Sequence, residues 1–534
     1  MKHSCLPHTK KHVNEYLFTR LLVNSLTHLC MKNRLNGVGL LILAFLSACQ
    51  PSVRSNYYFD PETGNNENAG TSPSEAFKNL DKIKDLFLKP GDSLLLKSGA
   101  VFTDHLYLSC KGSPELPVVL GKYGGEERPH IKGDASLKQA VHIYNSEYIV
   151  VRDLEISNKG KKPVSGIRGI CIEADNYGEA RNIIVDNLFI HDVGGLVEIE
   201  KGGGIALSFL NSRDEDTIPS CFVNLLVQNC YIKDCERDAI RMAGQWLRNK
   251  WFPSKGVVIR NNRIECVPGD GIVVVGCDSA LVEYNVVRNF PETLPPSEAC
   301  DGIWPWSSDH TLVQYNVVSD HHSIVDGYAY DSDWNCRNST FQYNLSYNNI
   351  GGFMLVIATN GWPDAMCVNG NENTQIKYNI SINDGLRNYK TENRFFSPII
   401  HLTGLTKNTT IEKNLFYIYP KPDSCIDNTI LHFSNHDDKY GEGDIFRNNA
   451  IFTAEPAVYA KEEKSANNVY SSNLYVGPLK VPATGFVKYN GKFDKSMWYD
   501  EKDENWNKLI EFVKDKTVPI DGTEIPILNI IGFN

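Results

Sequence analysis

The chain has 534 residues, a formal net charge of −10 and 42% hydrophobic residues. That length and apolar content provide for a real core, in one large domain or two to three ordinary ones. The mild acidic excess argues against nucleic acid or an anionic membrane surface as the main partner.

The front end reads as processing sequence. From Met31, Lys32 and Arg34 form a basic region, Val38 to Leu46 an apolar run, and Ser47-Ala48 precede Cys49. This is the order of an export signal, and the run is short for a transmembrane span. Leu46-Ser47-Ala48-Cys49 resembles a bacterial lipobox. The resemblance implies cleavage before Cys49, acylation of its thiol and, with Gln50 next, an outer-membrane lipoprotein at the cell surface or periplasmic face. Residues 1–30 then read as an extension from a misplaced start codon, 31–48 as signal peptide and 49–56 as a tether. A buried or interfacial helix is the competing reading of the apolar run. The 14 cysteines lack paired metal-ligand spacing, so buried single thiols are expected.

Next, Tyr57-Tyr58-Phe59 reads as a brief strand and gives way to a Gly/Asn-rich loop. After Ser74 an amphipathic helix is expected, with Phe77, Leu80 and Ile83 on one face. Pro90-Gly91 makes a turn and Leu94–Leu96 a strand.

From about residue 144 the pattern repeats, as in VVIRNNRIECV (257–267), ALVEYNVVRNF (280–290), TLVQYNVVSDH (311–321) and TQIKYNISIND (374–384). Asn262, Asn285, Asn316, Asn344, Asn379, Asn414 and Asn449 mark one position, at intervals of 23, 31, 28, 35, 35 and 35 residues. Each copy is a short alternating strand, a polar turn and another short strand, with no room for a recurring helix. An all-β, right-handed parallel β-helix over residues 57–480 follows, with short capping helices. Residues 481–534 form a C-terminal capping segment, its helix at 504–516 presenting Trp506, Leu509, Ile510 and Val513 on one side. The recurring asparagine suits a stacked turn: its amide donates to a main-chain carbonyl and meets its equivalent one coil away.

Tyr58-Phe59-Asp60-Pro61, Gly64-Asn65, Gly70-Thr71-Ser72-Pro73 and Pro90-Gly91-Asp92, with the repeats, resemble the pectate-lyase-like superfamily of right-handed β-helices. They are similar to the opening of exported Bacteroidetes members, and the resemblance covers roughly residues 54–480. It implies a lipoprotein or periplasmic glycoside hydrolase or polysaccharide lyase. The polygalacturonase motif set and the pectate-lyase calcium-and-arginine arrangement are both missing, so no activity family follows.

Asp270-Gly271, Asp301-Gly302 and Asp326-Gly327 share a pattern, with Asp238 before them and Gly351 after, at intervals of 32, 31, 25 and 25 residues. One per coil, they would form a row of acids about 5 Å apart. Paired carboxylates at such spacing suit glycoside hydrolysis, and close like charges hold one proton near neutral pH. Asp301, Asp326, Asp331 and Asp270 are therefore the catalytic candidates, against the duller reading of Asp-Gly as a turn dipeptide. Asp331 and Asp333 alternate along a strand and offer oxygen ligands to Ca2+, although no cofactor is required. Trp304, Trp306, Tyr328, Tyr330 and Trp334 crowd the same coils as candidate sugar platforms, against a role in the core. Pro305 between the first two suggests an edge or bulge. His310, His321, His322 and Arg241 are candidates for positioning substrate. His191 and Asp192 sit at an earlier turn, with Glu198, Glu200 and Lys201 just beyond.

The expected function is hydrolysis of a plant or host polysaccharide or oligosaccharide. The alternatives are a lyase cleaving a uronic-acid glycan by β-elimination, using Arg241 or the histidines, and a non-catalytic glycan-binding surface protein.

Overall fold

The computed structural model describes residues 54–533, apart from 197–202, 212–215, 292, 294–298, 359–369, 388–396, 421–427, 437, 462–463 and 483. The readings placed on residues 1–53, the Cys49 lipidation among them, lie outside the described residues.

The alternating strands stack as a right-handed parallel β-helix of three sheets. Each coil runs through sheet A (16 strands), sheet B (14) and sheet C (13), and pairs in parallel with the coils on either side. In one coil these strands are Leu312–Gln314, Val317–His321 and Tyr328–Ser332. Alternation sends every second residue inward, and stacking puts inward residues in register. Ile259, Val282, Val313, Phe341, Ile376, Ile411 and Phe446 form one such fully buried column in sheet A. Continuous apolar columns of this kind are the main source of stability.

The asparagine column closes the turn between sheets A and B. The backbone N–H of Asn316 donates to Asn344 Oδ1 at 2.9 Å, and Asn344 Nδ2 donates to the Val313 carbonyl at 3.0 Å and to Asn379 Oδ1 at 3.1 Å. The same geometry runs from Asn262 through Asn449 and one coil beyond the sequence-read set, to Asn473. The residue ahead of each asparagine takes a left-handed conformation, with φ of 56° at Tyr284, 55° at Tyr315 and 57° at Tyr343. Non-glycine residues rarely do so. Here the tyrosines stack from coil to coil, with centroids 4.9 Å apart for both Tyr284–Tyr315 and Tyr315–Tyr343.

Two expectations about the ends need correction. The segment after Ser74 forms two 3-10 turns, Pro73–Glu75 and Leu80–Asp85, although Phe77, Leu80 and Ile83 are buried as expected. The C-terminal helix, Glu504–Val513, lies along the side of the solenoid rather than across its end. Its Trp506, Leu509 and Val513 cover outward positions of sheet B that are apolar in these coils: Val317, Leu345, Ile380, Leu415 and Ala450. Such an apolar stripe needs a cover. Tyr378 Oη and Lys413 Nζ fasten it, donating to Asp503 Oδ2 at 2.9 and 2.8 Å. None of the nine described cysteines forms a disulfide, and all but Cys266 are buried.

Candidate active site

Sheet C carries the candidate residues on its outer face. Strands Ile240–Ala243, Ile272–Val275, Ile303–Trp306, Tyr328–Ser332, Gly352–Ile357 and Ile400–Thr403 lie side by side. One outward row reads Arg241, Val273, Trp304, then Asp331, Leu355 and His401. Trp304 and Trp306 therefore share a face, as the spacing predicts. Pro305 corrects the edge expectation: it is buried in mid-sheet. Its carbonyl accepts from Asp333 N at 3.1 Å, and Ile303–Tyr330 is the one registered pair between its strand and the next. The missing N–H is accommodated by weakened pairing beside the acids.

The acid row is partly as expected. Asp238 Oδ1 accepts the N–H of Asp270 at 3.1 Å, Asp270 Oδ1 that of Asp301 at 3.0 Å, and Asp301 Oδ1 that of Tyr328 at 2.7 Å. The rung after Asp301 is thus Tyr328, not Asp326, which pairs with Cys300 in a separate two-stranded bridge. Asp270 is fully engaged, since Oδ1 also accepts Trp304 Nε1 at 2.9 Å and Oδ2 accepts Arg241 Nη1 at 3.2 Å. Burial and neighbouring Asp238 push its carboxyl up to about 7. Arg241 also donates to Asp238 Oδ2 at 2.9 Å, so its charge is already committed to this ladder.

At the end of the ladder Asp301 is joined by three more carboxyl groups, Asp326, Asp331 and Asp333. Asp301 and Asp331 are buried, whereas Asp326 and Asp333 are half-buried. Burial first, then the charge of Asp326, raises the Asp301 carboxyl well above its ordinary range. Burial, then Asp333, does the same for Asp331. Asp326 is raised by burial, and the Arg387 guanidinium opposes that shift. Arg387 also donates to the Asp326 carbonyl at 2.5 Å. Asp333 Oδ1 accepts the Trp334 N–H at 2.6 Å.

Three buried polar atoms here have no protein hydrogen-bond partner among the described residues: Asp331 Oδ1, Tyr328 Oη and Trp306 Nε1. Buried polar atoms are normally satisfied, so a group of them without protein partners among the described residues is suited to a polar ligand. The aromatics form its wall. Trp306 stacks on Trp246 at 5.0 Å and meets Trp334 edge-on at 6.2 Å, while Tyr328 lies 6.4 Å from the His401 ring.

Other sequence candidates fall elsewhere. Tyr330 is inside the solenoid, donating to the Asn316 and Leu345 carbonyls at 3.0 and 3.1 Å. His321 is also interior, stacked on Phe290 at 4.0 Å, and burial drives its pKa down to about 3. His310 sits on an exposed bend facing Asp278 Oδ1 at 3.1 Å, and His322 is exposed. Asp331 and Asp333 are in neither group of described residues able to converge on a metal ion; those groups are His130–Glu155–His191 and His142–Cys171–Glu173. Glu198, Glu200 and Lys201 lie outside the described residues. Sequence reasoning missed Arg387, Trp246 and His401. Only His401 left a signal, its register on the strand row of Asp331.

A family model for the right handed beta helix region matches residues 130–318. A curated lacto-N-biosidase of Bifidobacterium longum subsp. longum is 24% identical across 82% of this chain and 31% of its own length. This chain thus spans about a third of that relative. The crystal structure of GH136 lacto-N-biosidase from Eubacterium ramulus has a TM-score of 0.58 at 23% identity, covering 80% of this chain and 68% of the other. The PL6 family alginate lyase AlyGC has a TM-score of 0.47 at 15% identity, covering 85% and 56%.

Proposed function

We propose that this right-handed parallel β-helix protein is a glycoside hydrolase, acting on an oligosaccharide at the outer face of sheet C. The carrying observation is the gathering of Asp301, Asp326, Asp331 and Asp333 beside buried polar atoms that lack protein partners among the described residues. The lacto-N-biosidase relative supports this class and makes a lacto-N-bioside the first substrate to try.

Asp326 and Asp333 are the members open enough to reach substrate. Asp326, its pKa raised by burial against the opposing Arg387, donates its proton to the glycosidic oxygen as the bond to the anomeric carbon breaks. Asp333 attacks that carbon or takes a proton from the water that does. Asp301 and Asp331, both buried and with raised pKa values, support the pair: Asp301 holds the Tyr328 backbone, and Asp331 presents Oδ1 to a sugar hydroxyl. Trp306 and Trp334 carry the ring.

The test is product analysis on a lacto-N-bioside and a panel of plant and host glycans. The expected result is new reducing ends without absorbance near 235 nm. New 235 nm absorbance would replace the hydrolase with a lyase, and binding without product would make the protein a glycan binder.

The pKa directions predict the pH dependence. A proton donor works only while protonated, so kcat/KM falls as pH rises through the raised Asp326 pKa. Stability changes with the same sign. Asp301 and Asp331 hold protons in the folded state that they lose when unfolded, so stability falls from about pH 4 upward until their folded pKa values are passed. Thermal melts at stepped pH check this, and a melting point rising steadily from pH 4 to 8 would contradict it.

A further inference from the structure

On sheet B, far along the chain from the acid cluster, three consecutive coils bring His130, Glu155 and His191 together. Their strands, His130–Gly133, Glu155–Asn158 and Phe189–Val193, are neighbours in the sheet. His130 is registered opposite Glu155, and His191 lies on the adjoining strand within a register break. Asp192, at that break, has φ of 47°. One ligand atom from each of the three residues lies within 4.8 Å of the other two.

We propose that His130, Glu155 and His191 form a binding site for a divalent transition-metal ion, with Zn2+ the best fit. The distances carry the argument. Glu155 Oε1 is 3.4 Å from His130 Nδ1 and 3.1 Å from His191 Nε2. A tetrahedral Zn2+ with bonds of about 2.0–2.1 Å sets its ligand atoms about 3.3 Å apart. Two of the three edges are therefore already in place, and the third, between the histidines, is within 4.8 Å.

The second observation is the outer support. The remaining ring nitrogen of each histidine has its own partner: His130 Nε2 meets Ser157 Oγ at 2.8 Å, and His191 Nδ1 meets Asp192 Oδ2 at 2.7 Å. Partners of this kind fix the tautomer and orientation of metal-binding imidazoles. Phe189 stacks on the His191 ring at 4.4 Å and holds its plane. Two imidazoles with one carboxylate favour a transition metal over Ca2+ or Mg2+, which take oxygen ligands. A cleft of about 350 Å³, lined by Gly99, Val101, Glu127, Arg128, His130 and Glu155, opens beside the triad. It leaves a fourth position for water or a small anion, and the ion would staple three coils together.

Titration of the chelator-stripped protein with ZnCl2, followed by calorimetry, tests the site. One equivalent should bind with Kd of about 10 µM or tighter. H191A and E155Q should weaken it by about 100-fold or more, and D192N by about 10-fold. H142A, in the other convergent group, should leave it unchanged. Co2+ in place of Zn2+ should give visible absorption of four- or five-coordinate intensity that E155Q abolishes. Circular dichroism of each variant separates loss of the site from loss of the fold. Zn2+ binding that persists unchanged in folded H191A and E155Q would move the site elsewhere. No binding to 1 mM, with no Co2+ spectrum, would reduce the triad to a hydrogen-bond network.

Discussion

Replacing Asp333 by Asn should lower kcat by about 10³-fold or more on every substrate the protein cleaves, whereas Asp326→Asn should show a loss that depends on the leaving group. The reason lies in the two tasks. In the proposed mechanism Asp333, whose Oδ1 accepts the Trp334 N–H, is the group that attacks the anomeric centre or activates the water that does. No leaving group can substitute for that. In that mechanism Asp326 supplies a proton to the departing oxygen. An oxygen that leaves readily as an anion, such as p-nitrophenolate, hardly needs it. D326N should therefore lose about 10²–10⁴-fold on a natural glycan and little on the p-nitrophenyl glycoside. D326N should also lose the alkaline limb of the pH profile, since the titrating acid is gone. D301N should lose less on either substrate, because Asn keeps the acceptor that holds Tyr328 N at 2.7 Å. If D326N and D333N both kept full activity while D331N lost it, the chemistry would belong to the deeper acid.

The repeat was legible because its cause is local and recurs in every coil. A buried turn needs its main-chain groups satisfied, and Asn at that position does so with one side chain, leaving a visible mark from Asn262 to Asn449. The acid site is irregular, and there the pattern misleads. Asp326 looks like the next Asp-Gly rung, yet Tyr328 takes that rung and Asp326 follows the separate bridge to Cys300. Tyr328 and Tyr330 read alike in sequence, but register with Ile303 turns Tyr330 inward. Arg387 comes from 61 residues beyond Asp326 and belongs to no repeat. Asp333 was read as a metal ligand because alternation shows which face a carboxylate takes. It does not show what the carboxylate accepts there. The lateral C-terminal helix was misplaced for a similar reason: its apolar side was plain, but the stripe it covers is spread over many coils, one residue at a time.

Asn344→Ala should destabilise the solenoid by about 4 kcal/mol, a large loss for removing one polar side chain. Asn344 is wholly buried and works in both directions along the stack. Its Oδ1 takes the N–H of Asn316 at 2.9 Å and the Asn316 amide at 3.2 Å, and its Nδ2 satisfies the Val313 carbonyl at 3.0 Å. Alanine leaves that N–H and that carbonyl buried without partners, at about 1–3 kcal/mol each, and adds a cavity. Asn344→Asp is isosteric and keeps the acceptor, so shape alone would predict a mild effect. It replaces the donor facing the Val313 carbonyl and Asn379 Oδ1 with an oxygen, and the loss should be as large. Urea unfolding measures both variants, and amide exchange at Asn316 locates the damage. A loss below about 1 kcal/mol in both would mean that the stacked apolar columns alone carry the fold and the asparagines merely fit the turn. A large loss in Ala with little in Asp would assign the effect to the acceptor half of the ladder, leaving the Val313 carbonyl unimportant.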